Sequence, residues 1–484
     1  MSRSTGILLP IFSLPSAYGI GGFGKEAYKF IDYLKANDRL YWQILPLNYP
    51  GYGDSPYNPI SCLAGNPYFI DPEMLFESGL LTKCDLDSAR LPDTGKVHYH
   101  LVYKTKQKCF RKAFTDFCQK RGESSLLEFL EREKEWLKPF SLFSYAKSAH
   151  SSLPWQKWQQ EFRFYSNQVF EKIYRQKPEE LLYPVFLQYI FQEQLSALKS
   201  YAVSQNIKII GDLPLYAALE SCDVWSQQEL FDLDKNGYPN KVAGVPPDAF
   251  SETGQLWGNP LYNWSKMQED NFTWWKTRLT KAFEFADYLR LDHFIGFVNF
   301  WAVDAKAKTA QVGEWLPGPS YAFFDAILNN FPAQNFIAED LGILTDAVNA
   351  VRDHYGFPGM IILQFCFQDD KNDVLSFPEN KIIYTGTHDN QTTTGWFLTN
   401  RAEGKPDNQF LVTYLHKTGF LLDGERLTPQ NVATCLIKLA EASPCRIAIF
   451  PLQDILGLDN STRINIPGTA LGNWRWRLKS FDLS

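Results

Sequence analysis

Residues 285–292, FADYLRLD, decide the fold. The run is short, almost continuously apolar, and closes on an acid. A run with no polar alternation reads as a strand covered on both faces, which is how strands of a parallel sheet are built. Seven more segments have the same character: ILLPIF (7–12), YWQILPL (41–47), IKIIGDLP (207–214), NFIAED (335–340), GMIILQF (359–365), KIIYTGTHD (381–389) and CRIAIFPLQD (445–454). Between most of them lie stretches of helical period, such as KEAYKFIDYLKAND (25–38) and TPQNVATCLIKLAEA (428–442). Eight strand–helix units predict an α/β fold, a (β/α)8 TIM barrel, with an open doubly wound sheet as the alternative.

Two connections are too long for simple crossovers. The spacing predicts one barrel over 1–484. An insertion at 48–206 separates strands two and three, with a mostly helical part at about 85–200. A second insertion, 215–284, contains VAGVPPDAFSETGQLWGNPLY (242–262). That stretch is too irregular for a regular element and too apolar for a linker, so it reads as an ordered loop lying over something.

Hydrophobic residues make up 45% of the 484 and charged residues 21%, which excludes a disordered chain. A net charge of -6 argues against nucleic acid as a partner. No run approaches the ~18 apolar residues of a membrane span. The N-terminal MSRSTGILLPIFSLPSAYG, broken by two prolines, is a poor signal peptide. The eight cysteines form no CxxC pair and read as reduced thiols of a cytoplasmic protein. Aromatics reach 15%, and they serve either as core or as stacking platforms for sugar rings.

Several motifs carry less than they suggest. Gly19, Gly21 and Gly24 satisfy G-x-G-x-x-G, but they stand seven residues beyond the first strand run, so a flexible turn at the barrel mouth is the better reading than a dinucleotide loop. Asp232, Asp234, Asn236 and Gly237 begin like a calcium loop whose twelfth position is Ala243 rather than Glu. His98 and His100 alternate as on a strand, with no third metal ligand nearby.

Three acids stand where strand runs end: Asp292, Glu339 and Asp389, 47 and 50 residues apart. All strands of a barrel deliver their C-terminal ends to one rim, so distant acids meet there. Arg290 and Asp292, two apart on a strand, share a face. A guanidinium beneath a carboxylate is expected to lower its pKa, which suits a nucleophile. Phe336, Ile337 and Ala338 precede Glu339, and an apolar wall is expected to raise its pKa, which suits a proton donor. Such a pair is what retaining glycoside chemistry uses, with the carboxyls about 5–5.5 Å apart. Asp389, with His293 and His388, would then hold sugar hydroxyls.

These residues resemble glycoside hydrolase family 77, the amylomaltase or 4-α-glucanotransferase family. The resemblance rests on GYGDSPY (51–57), GNPYFID (65–71), GDLPLYAA (211–218), VAGVPPDAFSETGQLWGNPLYNW (242–264), LRLDHFIGF (289–297), IAEDLG (337–342), TGTHDNQTTTGW (385–396) and PLQDILGLDNSTRINIPGTALGNWRWR (451–477). It implies a barrel with insertions, no metal or organic cofactor, and transfer of α-1,4-glucan segments from a glucan or maltooligosaccharide donor to the 4-hydroxyl of glucose or a maltooligosaccharide. It implies Asp292 as nucleophile, Glu339 as acid/base and Asp389 as transition-state stabiliser. Ser55, Tyr57, Asp212, Asp248, Trp257, Arg290, His293, Asp369, His388 and Asn465 become sugar contacts, and 244–260 a lid. Ile295, Gln391 and Ala249 depart from the residues usual in the family, as does NYPGYGDSPYNP (48–59). An α-glucan hydrolase using the same carboxylates and a glucan-binding scaffold with weakened catalysis are the alternatives.

Overall fold

A computed structural model of the chain describes residues 4–247, 251–342, 344–369, 371–405 and 407–481. Eight parallel strands close into a barrel: β1 (Ser4–Leu8), β2 (Tyr41–Gln43), β3 (Lys208–Leu213), β4 (Tyr288–Leu291), β5 (Phe336–Ala338), β6 (Gly359–Ile362), β7 (Lys381–Tyr384) and β8 (Ile447–Pro451). Each pairs with its neighbours in chain order, and β1 closes the ring on β8, with Ser4 opposite Ile447 and Leu8 opposite Pro451. Every one of the eight sequence runs contributes one strand. The first strand ends at Leu8, earlier than the run suggests, because Pro10 has no N–H for the ladder and Ile11–Ser13 turns into a 3₁₀ helix. The barrel interior is packed by Leu8, Tyr41, Ile210, Ile337, Met360, Ile362, Ile382, Tyr384, Ile447 and Ile449. Gly6 is required by this closure, since a Cβ there would lie 2.5 Å from the Cβ of Tyr41.

The connection from β2 to β3 holds the helices Tyr99–Arg121, Ser124–Arg132, Lys134–Ala149, Asn167–Gln176 and Pro178–Ser204. His98 and His100 therefore stand at the start of a helix and not on a strand. The glycine turn after β1 is closely packed rather than flexible: a Cβ at Gly21 would come 2.0 Å from the carbonyl of Ile11, and one at Gly24 would come 2.1 Å from Asp71. Asp234 closes a polar turn by accepting from the amides of Asn236 and Tyr238.

The 242–262 stretch corrects the sequence reading. Lys241–Val245 and Gln255–Pro260 are regular strands of an antiparallel hairpin. They belong to a four-stranded sheet completed by Asn299–Asp304 and Glu314–Pro317. A bulge between Val242 and Gly244 breaks the alternation, and half the pairing partners come from the β4–β5 connection, so no local pattern could reveal the sheet. Asp248 and Ala249 lie outside the described residues.

Candidate active site

The three acids reach one rim by different routes. Asp292 follows β4 directly and donates its amide to Leu213 at the end of β3, 3.1 Å away. Glu339 follows β5 and donates its amide to Leu291, also 3.1 Å. Strand β7 stops at Tyr384, and the loop 385–393 carries His388 and Asp389 back over the barrel mouth.

Arg290 stands at the centre. Its Nη1 donates to both oxygens of Asp212, at 2.7 and 2.8 Å, and lies 2.9 Å from Asp292 Oδ1. Its Nη2 lies 4.0 Å from Glu339 Oε2. Glu339 also accepts from the amides of His293 (2.7 Å) and Leu341 (3.3 Å). Burial pushes the Glu339 carboxyl up to about 8, the negative charge of Asp292 adding to the effect and Arg290 opposing it. The rise expected at Glu339 is thus present. The lowering expected at Asp292 is not: burial outweighs the attraction of Arg290 and carries Asp292 up to about 6. The negative charge of Asp212, a carboxylate the strand pattern did not place beside it, adds to the effect of burial. Of the two carboxyls, Glu339 is the one pushed further toward its protonated form.

A second chain of contacts runs from Asp212 to Asp389. Tyr57 donates its hydroxyl proton to Asp212 Oδ2 (2.7 Å), and its Oη lies 2.8 Å from His388 Nε2. The Tyr57 and His388 rings stack at 5.3 Å. His388 Nε2 also lies 3.3 Å from Asp389 Oδ2, and Asn465 Nδ2 donates to Asp389 Oδ1 at 2.6 Å. Burial would raise the Asp389 pKa, but the His388 ring and the Asn465 amide overcome it and hold that carboxyl below the usual range. Arg463 Nη2 donates to the Asp389 carbonyl at 2.9 Å. Neither Arg463 nor the Asp212–Arg290 grip was read from local sequence. The Asp212–Arg290 pairing joins two strands 78 positions apart and has no linear signature.

The remaining candidates divide. Trp257, on the hairpin, meets His293 edge to face at 4.8 Å. Burial pushes the His293 imidazole down to about 4, so it is neutral. Ser55 accepts from the Tyr57 amide at 3.2 Å and so shapes the turn that presents Tyr57. Asp369 is not drawn into this cluster by any described contact; its carboxylate faces Lys371. Asp248 lies outside the described residues. Of the departing residues, Gln391 accepts from Asn460 Nδ2 (2.6 Å) and Thr399 Oγ1 (2.8 Å).

A closed parallel barrel whose carboxyl-end rim gathers two buried carboxyls of unlike pKa around a single guanidinium has the layout of a carbohydrate-active barrel enzyme of the glycoside hydrolase type. Comparison with known proteins narrows the class. Residues 9–482 match the model of glycoside hydrolase family 77, 4-alpha-glucanotransferase, and the chain belongs to that family. The 4-alpha-glucanotransferase of Clostridium butyricum is 42% identical over 97% of this chain and 95% of its own length. That of Thermus thermophilus is 41% identical over 100% and 96%. Among solved structures, amylomaltase from Streptococcus agalactiae in complex with acarbose superposes with a TM-score of 0.93 at 35% identity, covering 100% of this chain and 96% of that one. No helix among the described residues is long and apolar enough to cross a membrane.

Proposed function

We propose that this chain is a 4-α-glucanotransferase that moves α-1,4-glucan segments from a maltooligosaccharide or longer glucan to the 4-hydroxyl of glucose or another maltooligosaccharide, by retaining double displacement. The sharing of Arg290 between Asp292 and Glu339 carries the reading, because it brings the two carboxyls to one point. Glu339 protonates the leaving glycosidic oxygen while Asp292 attacks the anomeric carbon, giving a covalent glycosyl-enzyme. Esterification removes the negative charge of Asp292, one of the influences that holds the Glu339 pKa up. Glu339 then stays a carboxylate and takes the proton of the incoming 4-hydroxyl. Asp389, ionised and flanked by His388, stabilises the oxocarbenium-like transition state through sugar hydroxyls. Asp212, buried with both oxygens engaged, acts through Arg290 and Tyr57. Ser55, Tyr57, Trp257, His293, Asn465, Asp248 and Asp369 complete the sugar contacts by family resemblance.

Transfer in place of hydrolysis requires that water be kept from the glycosyl-enzyme. The hairpin that sets Trp257 on His293 supports this. Incubation with maltotriose tests the proposal: glucose plus a ladder of longer maltooligosaccharides is expected. Maltose and glucose alone would identify a hydrolase, and no turnover by folded enzyme would identify a scaffold. The chemistry uses side chains only, so exhaustive chelation should leave the rate unchanged. Eight free thiols support a cytoplasmic location, which cell fractionation would test.

A further inference from the structure

Beside His388 a cavity of about 10 Å³ is lined by Leu8, Gln453, Arg463, Ile464 and residues of the 387–392 loop. Three of its lining side chains hold buried polar atoms without a hydrogen-bond partner among the described residues: His388 Nδ1, Gln453 Oε1 and Arg463 Nε. His388 and Gln453 are 3% and 2% exposed. The other ends of all three are already fixed. Gln453 Nε2 donates to Thr462 O (3.1 Å), which settles the amide orientation, and Arg463 Nη2 donates to Asp389 O (2.9 Å). His388 Nε2 faces two acceptors, the Tyr57 oxygen, whose own proton goes to Asp212, and Asp389 Oδ2. That side of the ring must carry a proton.

We infer that this cavity is a binding site for one water molecule, which ties His388, Gln453 and Arg463 together and keeps the Nε2 proton of His388 turned toward Tyr57 and Asp389. The hydrogen-bond accounting closes. The water accepts from Arg463 Nε–H and donates one proton to Gln453 Oε1 and the other to His388 Nδ1. Three buried groups that would each otherwise lose a hydrogen bond are satisfied by one molecule. The volume fits about one water. The Gln453 carbonyl oxygen disfavours an anion. Asp389 Oδ2 faces Nε2. The water thereby acts as a positioning device for the side chain that touches both Tyr57 and Asp389.

Only the kinetic arm of the test rests on the proposed transferase function. High-resolution diffraction of the wild-type enzyme should show one isolated density within hydrogen-bond distance of the three atoms. Nitrogen-15 NMR of histidine-labelled enzyme, with the His388 signal assigned by its loss in His388→Gln, should show Nε2 protonated and Nδ1 bare at neutral pH. An empty cavity, a protonated Nδ1, or anomalous signal in the cavity after a bromide soak would each overturn the inference. Gln453→Met removes the acceptor and fills the space. It should lower kcat for maltotriose roughly 10-fold by misplacing His388, with KM changed less than about twofold. The water density should vanish in the same variant. An unchanged tautomer together with an unchanged kcat in Gln453→Met would reject the positioning role. Because diffraction and NMR do not depend on turnover, a failed maltotriose assay would sink the transferase reading and leave the water site to stand or fall by itself.

Discussion

Arg290 faces three carboxylates with one charge, and the division of that charge sets the chemistry. Asp212 takes two hydrogen bonds, Asp292 one contact, and Glu339 only a distant one. The acid with the weakest hold on Arg290 is the one that keeps its proton. The pH profile of kcat/KM should therefore be a bell, with an acid limb near pH 6 from Asp292 and an alkaline limb near pH 8 from Glu339. A profile flat from pH 5 to 9 would contradict the assignment. Asp292→Asn should lower kcat on the order of 10^4-fold. The same pair has a stability consequence. The folded Glu339 pKa lies above its unfolded value, so between about pH 4.5 and 8 the folded state binds the extra proton and stability falls as pH rises. Glu339→Gln removes that penalty, and its Tm should exceed wild type by about 2 °C at pH 8, with the gap closing toward pH 5. Of this site the sequence displayed the three strand-end acids and the Arg290–Asp292 face, because the period of a strand is visible in a linear chain. It could not display the competition for Arg290, because Asp212 sits on another strand 78 positions away.

At the scale of elements, two segments position the candidate catalytic groups. The loop 385–393 is pinned at both ends by one buried acid of β8's exit: Asp454 accepts from Thr385 Oγ1 (2.6 Å) and from the amide and hydroxyl of Thr393 (both 2.7 Å). Removing that carboxyl in Asp454→Ala leaves buried donors unpaired, at a cost of about 3 kcal/mol, and should release His388 and Asp389 together. A denaturant melt and the maltotriose rate read the two effects. The hairpin is fastened at its base by Tyr262, whose hydroxyl donates to Leu215 O (2.9 Å), by Arg278 on the same carbonyl (3.0 Å), and by Asn259 on Ala217 O (2.9 Å). Trp257 therefore rides on a fixed base. Trp257→Ala should weaken acceptor binding by about 1 kcal/mol, roughly fivefold in acceptor KM, and shift products of maltotriose toward hydrolysis. An unaltered ladder would show that the ring does not stack on the acceptor. The barrel strands were legible because each carries its own apolar run. This sheet was not, because its pairing joins two connections and its Gly and Pro residues mimic a loop.

Across the whole molecule, the long β2–β3 insertion acts as a buttress to the site. Its first long helix, Tyr99–Arg121, reaches the C-terminal segment: the buried Tyr99 hydroxyl donates to the Trp474 carbonyl at 2.6 Å, and the Val97 amide just before the helix donates to Arg475 O at 2.7 Å. Trp474 is held in the left-handed region, φ 62°, a conformation that costs a bulky residue roughly 1–2 kcal/mol and persists only where its surroundings fix it. What that conformation achieves is placement of the indole against the site, 5.6 Å from the Tyr57 ring and 6.1 Å from His388. Four distant parts of the chain thus converge: the Tyr57 turn, the 385–393 loop, the helical insertion and the C-terminal segment. Tyr99→Phe removes one hydrogen bond and leaves the ring in place. The loss of stability should be about 1 kcal/mol, since the Trp474 carbonyl loses its donor. Relaxation of Trp474 out of its left-handed conformation should then lower kcat for maltotriose, although Tyr99 itself touches no catalytic group. Thermal melting together with steady-state kinetics measures both. A variant that melts early yet turns over at the wild-type rate would show that the insertion stabilises the fold without shaping the site.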